Sequence, residues 1–212
     1  AFLVMDLTDR GAQHYAFRVL NRYLEMTADF GALSVLRFYL VYRAMVRAKV
    51  HAIRCQQAQA EPEEYASALS EAAGYLNLAT RYTTLTTPAI VITFGLSGSG
   101  KTTYTQMLLE RIGAIRVRSD VERKRLAGIA THGTSDSALN AGIYSPSATQ
   151  STYAHLLELG REIVASGWPV IVDATFLRAD QRKPFWELAK KWKLPFVILD
   201  CQASTEKLEQ RV

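Results

Sequence analysis

Residues 95–102 read Gly-Leu-Ser-Gly-Ser-Gly-Lys-Thr, a complete G-x-x-x-x-G-K-[ST] segment directly behind the apolar run Ala89-Ile-Val-Ile-Thr-Phe94. No other stretch constrains the fold as strongly. Gly95, Gly98 and Gly100 let the backbone curl so that successive N–H groups face inward on an anion. Ser97, Ser99 and Thr103 belong to the same cradle. Lys101 adds a cation that can reach β- and γ-phosphates. Thr102 offers a hydroxyl for Mg²⁺ and opens a helix whose positive end faces the anion. The bare spacing arises by chance in roughly one chain in a hundred of this length, and the strand before it and helix after it cut that further. The segment implies a nucleoside-triphosphate site, with ATP and Mg²⁺ as the expected ligands.

The chain has 212 residues, 49% of them hydrophobic, with a mean hydropathy of −0.02. These values suit a core-forming protein of one large or two small domains. No apolar stretch approaches the ~20 residues of a membrane span, and the start lacks the basic flank of a signal peptide. The first residue is Ala1 rather than Met, so the chain is expected to begin inside a longer protein. Cys55 and Cys201 are the two cysteines. They lie far apart and in no metal-ligand spacing, which points to a reducing cytoplasm. The net charge of +5 is carried mostly by residues 89–212, with sixteen Lys/Arg against twelve Asp/Glu. That excess suits a phosphorylated ligand and is too small to demand a nucleic acid.

Up to about Thr87 the pattern is helical. Asp9 could cap a helix through Met26, with Tyr15, Val19, Tyr23 and Met26 recurring at helical steps. A long helix follows from Ala32 to about Gln59. Leu33, Leu36, Leu40, Ala44 and Ala48 form its buried stripe, widened by Tyr39, Tyr42 and Met45, and Arg43, Arg47 and Arg54 read as a solvated ridge. Pro62, Glu63 and Glu64 suit the first turn of another helix, to about Arg81. The boundary is expected at residues 83–88, giving regions 1–88 and 89–212.

From Pro88 strands and helices alternate. Strands are expected at 89–94, 114–118, 169–173 and 195–200, with helices at 102–111, 120–127, 146–166 and 180–193. Residues 128–145 read as a polar loop, and Ser204 caps a last helix. This is the grammar of an α/β fold: a parallel sheet covered on both faces, a three-layer αβα arrangement behind a small all-α region. Its ligand should sit at the carboxyl ends of the strands.

Asp173 closes the apolar run Val170-Ile171-Val172, where a second carboxylate would hold Mg²⁺ beside Thr102. An Asp capping the next helix would look the same. Asp120 follows the second strand in Arg118-Ser-Asp-Val-Glu-Arg123. It reads either as an N-cap or as a general base taking a proton from an acceptor hydroxyl, at a strand tip expected beside the first strand. Arg123, one turn later, would hold the acceptor or a phosphate. Thr175, Arg178 and Arg182 follow Asp173, and the two arginines read equally as a phosphate clamp or as surface charges. His132, His155 and the Lys190, Lys191, Lys193 group read as structural or solvated.

Together Gly95–Thr102, Arg118-Ser-Asp-Val-Glu-Arg-Lys-Arg-Leu126, Tyr144-Ser145 before a helix, and Val172-Asp-Ala-Thr-Phe-Leu177 resemble the P-loop kinases of the polynucleotide-kinase, zeta-toxin and gluconate-kinase-like group. They are most similar to the kinase module that bacteria fuse behind an aminoglycoside-phosphotransferase-like domain. The resemblance covers nearly all of residues 89–212 and implies a P-loop NTPase fold. It further implies that Arg211 matches the first lid arginine. Residues 1–11 and 36–50 resemble the last helices of the upstream domain, whose nucleotide lobe and catalytic residues this chain lacks. The resemblance also places the end of the chain where the lid would continue and before an expected fifth strand, so ATP binding is expected to survive better than turnover.

The resulting expectation is an ATP- and Mg²⁺-dependent phosphotransferase acting on an unidentified hydroxyl acceptor. Lys101, Asp120, Arg123 and Arg211 would be catalytic, and Thr102 and Asp173 would hold the metal. Nucleic acid would enter only as a 5′-OH substrate, and no membrane is expected. The alternative is an ATP-binding switch or regulatory module that hydrolyses slowly and has no small-molecule acceptor.

Overall fold

The computed structural model describes residues 1–58, 61–84, 87–129 and 142–209. In chain order its helices begin with α1 (Phe2–Asp9), α2 (Gln13–Thr27), α3 (Leu33–Gln57) and α4 (Pro62–Thr83). Then β1 (Ile90–Phe94), α5 (Lys101–Ile112), β2 (Ile115–Arg118) and α6 (Ser119–Leu126) follow. The remainder is α7 (Pro146–Ala165), β3 (Val170–Asp173), α8 (Ala179–Trp192), β4 (Phe196–Asp200) and α9 (Thr205–Glu209).

The sheet is parallel, with strand order β2-β3-β1-β4. Successive strand residues point to opposite faces, and both faces are apolar. Ile90, Ile92, Ile115, Val117, Val170 and Val172 join one cluster with Leu156 and Ile163 of α7 and Phe185 and Leu188 of α8. Val91 and Ile171 pack on the other face with Leu109 of α5 and Ala114. The fold is therefore the three-layer P-loop NTPase arrangement, preceded by an all-α region. The larger cluster continues into that region through Met5, Leu20, Leu24, Leu33, Leu36 and Leu40.

Several elements differ from expectation. Helix α1 was not foreseen: Asp9 ends it instead of capping α2, which starts from Ala12. Its apolar start has too few residues to show a period, yet Val4 and Met5 are buried. The buried face of α2 is Ala16, Leu20, Asn21 and Leu24, whereas Tyr15, Val19, Tyr23 and Met26 are exposed. Both stripes have helical spacing, and the smaller residues win because α2 lies tightly on β2 and α5. Gly113 shows how tightly: it ends α5 with φ +69°, and a Cβ there would sit 2.6 Å from the Phe17 ring of α2. On α3 the leucine and alanine stripe is buried as expected, but Tyr39, Tyr42 and Met45 are about half exposed. Strand β4 lies at a sheet edge with Val197 and Ile198 exposed, so it is not covered on both faces. Among the described residues, no helix is long and apolar enough to cross a membrane.

Candidate functional site

The chain steps from β1 outward to β2, returns to β3 beside β1, and then passes to β4 on the other side. The direction of winding therefore reverses between β1 and β3. In open parallel sheets the crevice above the carboxyl ends at such a reversal is where ligands bind. Both strands bordering it end in candidate site residues: the glycine loop follows β1, and Asp173 ends β3.

Gly95 turns the chain out of β1 with φ +140°. An added Cβ would lie 2.3 Å from the carbonyl oxygen of Cys201, so the loop threads where side chains do not fit. The Gly95 N–H donates to Thr175 O at 3.2 Å, tying this loop to the turn after β3. Gly98 and Gly100 also have positive φ, and Lys101 begins α5. The Lys101 ammonium folds back onto the carbonyls of Gly95 at 3.0 Å and Leu96 at 2.6 Å. Its burial pushes its pKa down, with Asp173 partly opposing the shift. Ser99 Oγ is buried without a hydrogen-bond partner among the described residues. A buried hydroxyl left without a partner is costly, and in a loop of this shape a phosphate oxygen would satisfy it.

Thr102 Oγ1 donates to Asp173 Oδ2 at 2.9 Å, and Thr105 Oγ1 lies 3.4 Å from the same oxygen. Asp173 is 5% exposed. A hydroxyl and a carboxylate side by side at the end of a phosphate loop are hard oxygen donors of the kind Mg²⁺ takes, with few protein ligands. No larger group of His, Cys, Asp and Glu that could cage a metal occurs among the described residues.

Asp120 is the second residue of α6, so it is not the N-cap; Arg118 occupies that position. It is about half exposed and pairs with Lys124 at 3.2 Å. One expectation is corrected here: β2 is not beside β1, because β3 lies between them. The three strands β1, β2 and β3 share the order and direction that put their carboxyl ends on one side, and Asp120 stands at the outer one. Arg123 donates to Ile143 O at 2.8 Å and Thr149 Oγ1 at 3.1 Å, and its guanidinium lies over the Tyr144 ring. It thereby holds the turn before α7 against α6.

Thr175 Oγ1 lies 3.2 Å from Tyr153 OH. Arg178 is exposed and pairs with Asp180 of its own helix start. Arg182 donates to the carbonyls of Phe176 at 2.6 Å and Leu177 at 3.1 Å, bracing the loop after β3. His155 contacts Glu122. Arg211 and His132 lie outside the described residues, as does most of the polar loop expected at 128–145.

Sequence reasoning missed several residues that shape the site. Thr93 Oγ1 donates to Ala174 O at 2.5 Å and accepts from Ala174 N at 3.0 Å, locking β1 to the turn after Asp173. Arg116 donates from β2 to Thr102 O at 3.1 Å, Thr105 Oγ1 at 3.2 Å and Gln106 Oε1 at 2.9 Å. Burial pushes its pKa down, and Asp173 counters part of that. An arginine in the middle of the short strand Ile115-Arg-Val-Arg118 was the available signal.

A family model described as an AAA domain matches residues 90–212, more than half of the chain. Uncharacterized proteins of Mycobacterium bovis and Mycobacterium tuberculosis are 29% identical over all 212 residues. The chain spans 41% of the length of these relatives. Among solved structures, one titled as the Pnkp1/Rnl/Hen1 complex is similar with a TM-score of 0.43 and 21% identity, over 61% of this chain and 40% of that one.

Proposed function

The chain belongs to the AAA domain family, and we propose on that premise that it is an ATP- and Mg²⁺-dependent phosphotransferase acting on a hydroxyl acceptor. The observation that carries this reading is the 2.9 Å pair of Thr102 and Asp173 beside the Gly95–Lys101 loop. The loop amides and Ser99 would cradle the phosphates, and Lys101 would leave the Gly95 and Leu96 carbonyls for the β- and γ-oxygens. Thr102 and Asp173 would hold Mg²⁺, which would supply charge neutralisation at those oxygens. Asp120 would take the proton of the acceptor hydroxyl, and Arg123 and Arg211 would fix the acceptor and the migrating charge. Positioning and electrostatic compensation would then provide most of the acceleration, as in other phosphoryl transfers.

The protein's place is proposed to be the cytoplasm. Residues 1–88 are read as the closing helices of an aminoglycoside-phosphotransferase-like domain lying upstream in a longer chain. The test is transfer of labelled γ-phosphate by the longer protein to pools of 5′-OH oligonucleotides, sugars and aminoglycosides. Acceptor-dependent transfer lost in Asp120→Asn supports the proposal. Slow hydrolysis indifferent to every acceptor would instead support the switch module.

A further inference from the structure

Strand β2 is a sheet edge, and its outward-facing backbone groups are covered by a helix. Asn21 of α2 accepts from the Arg116 N–H at 2.7 Å through Oδ1, and its Nδ2 donates to Ala114 O at 3.0 Å. A carboxamide has the same donor and acceptor as a peptide unit, so Asn21 completes the edge as a neighbouring strand would. Asn21 is 5% exposed, which is unusual for an asparagine on a helix face.

Edge protection alone would leave the Arg116 side chain free to point anywhere. Instead it runs beneath the first turn of α5 and donates to Thr102 O, Thr105 Oγ1 and Gln106 Oε1. Thr102 and Thr105 are the residues whose hydroxyls meet Asp173 Oδ2. Further along the same edge, Glu25 of α2 faces Arg118 at 3.5 Å, and Arg118 is the register partner of Asp173. The Glu25 carbonyl, in the last turn of α2, accepts from Arg125 of α6 at 2.6 Å. The helical segment thus meets both the nucleotide side and the acceptor side of the crevice through arginines of β2 and α6.

We propose that Asn21 and Arg116 are positioning residues. By fixing the edge of β2, Asn21 sets Arg116, and Arg116 fixes the Thr102–Asp173 pair that would hold the metal. This rests on the reading of that pair as the Mg²⁺ site. The guanidinium fork matters because its partners lie in different directions, which a single ammonium does not match.

The test compares wild type with Asn21→Leu, Arg116→Met and Arg116→Lys in two assays. The first is amide hydrogen exchange over residues 102–106 in the ligand-free protein. The second is the factor by which Mg²⁺ tightens ATP binding. Asn21→Leu and Arg116→Met are each expected to speed exchange in that turn and to lower the Mg²⁺ factor, both by about tenfold, the scale of one or two buried hydrogen bonds. Arg116→Lys should recover less than half of either effect. A variant that lowers thermal stability but leaves both the exchange and the Mg²⁺ factor at wild-type values would overturn the proposal. If Asn21→Leu does not fold, the Arg116→Lys result decides in the same way. If wild type binds no ATP, the proposed function fails, while the exchange assay still decides whether Asn21 and Arg116 fix this turn.

Discussion

At the residue scale, Gly95 and Lys101 make opposite demands on the ligand-free loop. Gly95 occupies a backbone conformation open to glycine, with a Cβ position 2.3 Å from Cys201 O. Gly95→Ala must displace backbone, so it should destabilise the protein by about 2–4 kcal/mol. It should also weaken ATP binding, and denaturant midpoints with calorimetric titration would check both; an unchanged midpoint would contradict the packing. Lys101 is strained electrostatically instead. Its folded pKa is lowered by burial, so the unfolded chain, near 10.5, holds the proton more tightly. Stability from this group therefore rises with pH as it climbs from the depressed value toward 10.5. Lys101→Met, which removes the buried charge, should be more stable than wild type without ligand, by a margin that narrows as the pH rises toward 10.5. A margin that stays flat with pH would refute the assignment. The same variant should lose ATP affinity by at least about tenfold, because the side chain meant for the phosphates is gone. These loop residues were legible in the sequence because their chemistry is contained in one contiguous segment. Thr93 and Arg116 were not, because their partners lie at least ten positions away and a strand residue's neighbours depend on the sheet order.

At the element scale, α6 is fastened at several points. Glu122 is 2% exposed and is paired with Arg125 of its own helix and His155 of α7. Arg123 fastens α6 to the start of α7, and Arg125 to the end of α2. The helix that presents Asp120 therefore has little freedom to rotate. Glu122→Ala should cost about 2–3 kcal/mol, since it leaves Arg125 and His155 beside an apolar gap, with the partial exposure of both moderating the loss. Chemical denaturation checks this, and a cost under about 0.5 kcal/mol would mean that the pair contributes only as a surface one does. Strands and the helices between them were readable because buried parallel strands are short apolar runs with sharp ends. Strand order was not, so Asp120 was expected next to β1 when β3 intervenes. Helix faces failed for a different reason: two stripes of equal period compete on α2, and the winner depends on how closely its partner approaches.

At the scale of the whole molecule, the helical region and the sheet share one apolar cluster, running from Met5 through Leu33 and Leu36 to Ile163 and Val170. Polar bonds cross the same boundary: Trp168 Nε1 donates to Leu33 O at 3.2 Å, Arg37 to Gly167 O at 3.1 Å, and Arg18 pairs with Glu110 at 2.7 Å. Sequence patterning divides the chain near residues 83–88 because the period of its apolar residues changes there, and a change of period carries no information about whether the two parts pack. Contacts of this kind couple unfolding, since opening either part exposes core belonging to both. Unfolding of the chain should therefore be one transition. Trp168 is buried at the junction whereas Trp186 and Trp192 are exposed, so in a Trp186→Phe, Trp192→Phe background its fluorescence reports the junction directly. That signal and far-UV circular dichroism should fall together in urea, with one midpoint and one slope. A chain starting at Thr87 would leave Ala114 O and Arg116 N–H at an uncovered edge beside exposed core, and should self-associate at micromolar concentration. Fluorescence that changes well before the helical signal, together with a monomeric shortened chain of wild-type ATP affinity, would show instead that the two parts fold independently and that α2 merely rests on the edge of β2.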